Sequence, residues 1–181
     1  MQFQRFLILA AIAVGVPLLV APRRGKASDS EPAPAAKLQH GAPSIDRLID
    51  EFVAAINDRD KEKLRQLRVS QDEYLGLILP GSVEPGQRRP QYNQEESEYL
   101  WGTLNGKSIY AEANLIASYG GHHATVTAKE FRKGKKQYAD YTAYKQLMLT
   151  LKDDKGTEAT MRIGSIAEVD GQFKFISYVR D

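Results

Sequence analysis

The chain of 181 residues contains no cysteine, a single tryptophan and only three histidines. Without cysteine there are no disulfides, and no lipid can be attached through a thiol. A domain of about 150 residues buries enough core to do without cross-links. Neither G-x-S-x-G, nor a P-loop, nor a dinucleotide fingerprint occurs, so Ser-His-Asp chemistry and nucleotide binding lack their usual signatures. Two of the three histidines are the neighbours His122 and His123. On a strand adjacent side chains point to opposite faces, which is not chelating geometry. No metal and no cofactor is implied. There is no internal repeat.

Charge of one sign is also lacking, with 25 Lys and Arg against 23 Asp and Glu. The chain's one long apolar run, Phe6–Ala21, follows Arg5 and precedes Pro-Arg-Arg-Gly-Lys-Ala. Gly25 and Ala27 stand at the −3 and −1 positions of a cut after Ala27. A charged start, an apolar middle and a small-residue exit predict a secretory signal peptide over residues 1–27, and hence a periplasmic or secreted product. The competing reading is a retained membrane anchor. The run has 16 residues, short of the ~20 that span a bilayer, but Arg23, Arg24 and Lys26 flank its far side. Loss of Arg5, Arg23, Arg24 and Lys26 with the leader leaves 21 basic and 23 acidic residues, a net of −2. Nothing in that balance asks for nucleic acid, and no stable membrane insertion is expected after the leader is removed.

Residues 28–43 are rich in Ala, Pro and Ser and have no apolar period, so they are expected to be a flexible tether. A single domain is expected over residues 44–181. Ser44 is a good N-cap, and Ile45, Leu48, Ile49, Phe52, Val53 and Ile56 follow at helical spacing. Asp60 caps a short second helix, and Ser70 with Glu73 forms a capping box for a third that Pro80-Gly81 stops. Residues 80–92 form a long Pro/Gly loop. Asn93 with Glu96 opens a fourth helix carrying Leu100, Trp101 and Leu104. Ser108 is expected to cap a fifth, which Gly120-Gly121 ends.

From there the period changes to two. His122–Phe131 alternates, as does a run from about Tyr138 to Lys152. Asp153–Gly156 is a turn, Thr157–Val169 alternates again, and Asp170-Gly171 is a hairpin turn. Arg132, Lys133, Lys135 and Lys136 around Gly134 are expected at a basic hairpin tip. Met161, Ile163, Ser165, Ala167 and Val169 are assigned to one inward face, and Phe173, Phe175, Ser177 and Val179 to the next. The fold class is therefore α+β.

Two stretches carry a resemblance. "SIDRLIDEFVAAINDRDKEKLRQL" is similar to the opening helix pair of the nuclear transport factor 2-like superfamily, and "GSIAEVDGQFKFISYVRD" resembles its closing hairpin. The resemblance implies N-terminal helices packed in the concave face of a strongly curved antiparallel sheet of about four or more strands, with a cone-shaped hollow and the last strand inside the sheet. The sequence departs from the pattern at residues 80–92, where many members place a strand or hairpin. The superfamily includes isomerases, dehydratases, cyclases, ligand binders and docking modules, so fold alone does not choose a function.

His122, on the face of Ala124, Val126 and Ala128, is the one candidate general base, pointing at the mouth of the cone; the plain alternative is a solvated strand end. The inward faces carry no acid and no histidine, which argues against proton-moving chemistry. Tyr74, Tyr99, Trp101 and Tyr110, amphipathic aromatics on the helices, are candidates for lining a pocket. Ser165 and Ser177, polar exceptions on an apolar lining, are candidates for orienting a ligand. Core packing competes for Trp101, and local hydrogen bonding for the serines. The leading expectation is an exported non-catalytic module that holds a small apolar ligand or a partner segment in the hollow. A lyase or isomerase using His122 and a homodimer joined through its sheet face are the alternatives.

Overall fold

The computed structural model describes residues 37–179. Helix α1 (Ile45–Asn57) starts where Ser44 Oγ accepts the Arg47 amide, and it buries the predicted stripe of Leu48, Ile49, Phe52, Val53 and Ile56. Asp60 caps α2 (Lys61–Gln66). The capping box of Ser70 and Glu73 opens α3 (Gln71–Glu73), which passes through a π-helical turn, Tyr74–Ile78, into α4 (Leu79–Gly81). A second capping box, Asn93 with Glu96, opens α5 (Gln94–Tyr119).

Five antiparallel strands follow: β1 (Thr125–Phe131), β2 (Lys135–Gln137), β3 (Thr142–Lys152), β4 (Glu158–Val169) and β5 (Gln172–Tyr178). They form one open sheet in the order β1-β3-β4-β5, with β2 also paired to β3. Asp170 and Gly171 both have positive φ, the geometry of the two-residue turn that matches strand twist. Helices in the N-terminal part and a curved antiparallel sheet make the fold α+β, as the change of period predicts.

The curvature has an identifiable source. The register shifts between Tyr144 and Met148 on β3 and at Ser165/Ile166 between β4 and β5. Gln146 and Gly164 have positive φ at this line, and Gly134 has it on the edge beside them. Aligned irregularities of this kind bend a sheet and raise its twist. At Gly164 a Cβ would stand 2.1 Å from the Ser177 carbonyl oxygen, so the close approach of β5 requires glycine there.

The bend corrects the predicted faces. Met161, Ile163 and Ile166, not Ala167 and Val169, join the concave core with Leu147, Leu149 and Leu151. On β5, Phe173, Phe175 and Tyr178 face that core, because the irregularity at Ile176 shifts the alternation away from Val179. Ala167, Val169 and Ile176 lie in a second cluster with Leu38, Val69, Leu77 and Ile78. A strict period of two assigns these faces wrongly because each extra residue reverses the alternation.

Other expectations are also corrected. The predicted fourth and fifth helices are one continuous helix, and Ser108 is a buried residue inside it, not a cap. The basic segment around Gly134 is no hairpin tip. β1 and β2 both run antiparallel to β3, and the Lys145 amide donates to the Gly134 carbonyl. The run predicted from Tyr138 begins as a strand only at Thr142. β5 is an edge strand, not an internal one. Its outer edge is nonetheless occupied: Phe173 exchanges two backbone hydrogen bonds with Ala42, and Phe175 bonds to Leu67 and Val69. The expected tether is therefore partly folded, since Leu38 is buried and Ala42 pairs with β5. The predicted leader and residues 28–36 lie outside the described residues.

Candidate functional site

The middle of α5 lies over β5. Leu104, Lys107 and Tyr110 on the helix and Ser177, Tyr178 and Val179 on the strand enclose a cleft of ≈ 260 Å³. Leu104, Lys107 and Tyr110 recur at three-residue spacing, so they follow one side of the helix. The cleft is walled mainly by apolar atoms, and Lys107 and Ser177 are among the lining residues that carry a polar group. A mostly apolar concavity with a few polar groups is the ordinary form of a small-molecule site.

Beside it lies a buried polar cluster. Arg68, in the segment between α2 and α3, is only 5% exposed, and Ser108 and Glu112 on α5 are 0% and 2% exposed. Arg68 Nη2 donates to Asn105 Oδ1 at 2.6 Å, and its guanidinium stands 5.8 Å from the centre of the Trp101 ring. Arg68 Nε and Nη1, Ser108 Oγ and Glu112 Oε2 have no hydrogen-bond partner. Glu112 Oε1 lies 3.8 Å from Arg65 Nε. Trp101, Asn105, Ser108 and Glu112 are spaced by four, three and four residues, which makes one face of a helix.

Burial pushes the Glu112 carboxyl up, against the pull of Arg65, Arg68 and Lys61. Burial likewise holds the Arg68 guanidinium down, and nearby Tyr178 and Glu112 oppose that effect. Tyr178 belongs to both regions. It lines the cleft, its phenol donates to the Leu64 carbonyl at 2.7 Å, and burial drives its pKa far up.

The predicted site residues do not converge. Tyr110 and Ser177 meet in the cleft. Tyr74 and Trp101 pack on each other with ring centres 5.6 Å apart, near Arg68. Trp101 is half-buried and stands outside both core clusters. Tyr99 is 73% exposed. Ser165 serves the bend, where its Oγ accepts the Gln146 amide at 3.3 Å.

His122 is exposed and precedes β1, so the strand-face argument that aimed it at a cone mouth does not apply. It lines a separate depression of ≈ 230 Å³ with Tyr119 and the Asp153 turn. β1 has its own register shift between Val126 and Ala128, so Lys129, not Ala128, shares the register of Leu149. Lys129 pairs with Asp46 at the start of α1.

Arg68, Asn105, Ser108 and Glu112 are not among the site residues the sequence predicts. The available signal was their helical spacing, which is legible only if α5 is read as continuous through Gly102 and Gly106. Among the described residues, no group of three or more His, Cys, Asp or Glu is placed to hold a metal ion, and no helix is long and apolar enough to cross a membrane. The chain matches no family model, no curated protein and no solved structure.

Proposed function

We propose that the protein is an exported binding module that holds a small, mainly apolar ligand in the cleft between α5 and β5. The observation that carries this reading is the cleft itself: apolar walls from Leu104, Tyr178 and Val179, with Tyr110 and Ser177 placed to orient a ligand. At ≈ 260 Å³ it lies just below the usual size of ligand pockets, which begin near ~300 Å³. That size suits a short chain or a single ring. The export part of the reading rests on the order of charged, apolar and small residues over 1–27. The likeness of the opening helices and closing hairpin to the nuclear transport factor 2-like superfamily is compatible with it, since that superfamily includes ligand binders.

The test is an NMR titration with 1-octanol, a neutral short-chain probe. The mature protein, its N-terminus at Ser28 confirmed by mass spectrometry, is expected to give saturable shifts. Leu104→Trp fills the cleft and is expected to abolish them while the melting temperature stays within a few degrees. Octanol binding that survives Leu104→Trp, or no saturable binding by the wild type, overturns the reading.

A further inference from the structure

Arg68 is a buried cation with little to balance it. Its one hydrogen bond is to the neutral Asn105 amide, and none of the ion pairs among the described residues includes it. Burying a charge without a partner is costly, and a protein tolerates it where something else supplies the counter-charge. Glu112 lies near enough to favour the charge but makes no ion pair with Arg68: the Arg65 contact is on its other oxygen, and its Oε2 is unpartnered. Two guanidinium nitrogens and one hydroxyl are thus left without acceptors inside the protein. Glu112 adds a third kind of donor when protonated, the form that burial favours. A set of donors around one cation matches a carboxylate, which takes charge-assisted hydrogen bonds from a guanidinium.

The cluster adjoins the cleft. Ser108 lies four residues from Leu104, and residues so spaced are neighbours on a helix surface. Tyr178 lines the cleft and lies near both Arg68 and Glu112. We infer that the cleft and the cluster form one site for an amphiphilic carboxylate, with its apolar chain in the cleft and its carboxylate on Arg68 and Ser108. This inference rests on the cleft reading and adds the head group to it. Access to Arg68 requires the turn of α5 above the cluster to shift. That turn carries Gly102 and Gly106, and a Cβ at either would meet nothing within 4 Å.

The rival acceptor of a carboxylate is Lys107, which lines the cleft directly. The experiment therefore compares octanoate with 1-octanol, by calorimetry and NMR, on the wild type, Arg68→Met and Lys107→Met. Hydrogen bonds to charged groups predict that the wild type prefers octanoate about 10- to 100-fold. Arg68→Met is expected to erase the preference and keep octanol binding, while Lys107→Met keeps the preference. Equal affinity of the wild type for the two probes overturns the inference and leaves the cleft reading standing. Loss of the preference in Lys107→Met overturns the inference as well. Failure of the wild type to bind either probe overturns both readings. Arg68→Met removes an uncompensated charge and is expected to fold. If it does not, Arg68→Gln takes its place, and the wild-type and Lys107→Met measurements decide the matter independently of both.

Discussion

Glu73 and Glu112 are both buried carboxyls, and their neighbours give them opposite standing. Glu73 accepts the Gln39 and Ser70 amides at 2.6 Å each and the Lys174 ammonium at 2.9 and 3.1 Å. Glu112 has one distant arginine and an unpartnered oxygen. Burial, then the pull of Arg65, Arg68 and Lys61 and the push of Glu62, sets its pKa above the ordinary 4.5. A carboxyl whose folded pKa is raised contributes stability that is fully present below the unfolded value and is lost as pH rises through the folded one. Glu112→Gln removes that loss. Its melting temperature is expected to match the wild type near pH 4, to exceed it increasingly as pH rises through the folded pKa of Glu112, and to keep a constant advantage above it. A difference between the two proteins that does not change with pH would show that Glu112 does not titrate upward.

At the scale of elements, the glycines separate into two kinds. Gly164 has φ +144° and faces the Ser177 carbonyl, whereas Gly102 and Gly106 are exposed on α5 with open space around them. Gly164→Ala must both strain the backbone and push β5 away, and a strained backbone position alone costs about 1–3 kcal/mol. Gly102→Ala and Gly106→Ala should each stabilise by up to about 1 kcal/mol, the helix-propensity difference. Urea denaturation of the three variants checks both signs. A Gly164→Ala variant as stable as the wild type would mean that the bend of the sheet does not depend on that close approach. The same pair on α5 explains why one helix was read as two. Asn105-Gly106-Lys107-Ser108 has the composition of a break, but the buried side of α5, Ser108 with Ala111, Glu112 and Leu115, holds it in register. Tertiary packing overrides a local propensity deficit of this size.

For the whole molecule, β5 joins parts that are far apart in sequence. Phe175 and Tyr178 pack on Phe52 of α1 with ring centres 5.2 and 5.6 Å away, and Lys174 neutralises Glu73. The backbone of β5 also holds Ala42, Leu67 and Val69. Ending the chain at Asp170 removes two large buried side chains at roughly 1.5–3 kcal/mol each and leaves Glu73 buried without its cation, about 3–5 kcal/mol more. That sum approaches the ~5–15 kcal/mol that holds a domain together. Residues 28–170 are expected to give neither a cooperative melt by circular dichroism nor a monomeric peak on size exclusion. A cooperatively folded monomer would show that β5 is a peripheral arm.

Four helix starts, the turn at Asp153–Gly156 and the hairpin at Asp170-Gly171 were legible in the sequence because each depends on a few adjacent residues. Ser44, Asp60, Ser70 and Asn93 cap the helices they were expected to cap, each side chain accepting an amide three residues on. The stripe of α1 followed from period alone. The candidate site was only partly legible: Tyr110 and Ser177 meet in the cleft, whereas Arg68, Ser108 and Glu112 gave no local sign. Their importance comes from burial without partners. A residue's neighbours in the chain do not set that; the packing of α5 over the α2–α3 segment and β5 does. The bend through Gln146 and Gly164 belongs to the same class. An extra residue in a strand is visible only against the strand it pairs with, so which side chains face the core was decided by the assembled sheet.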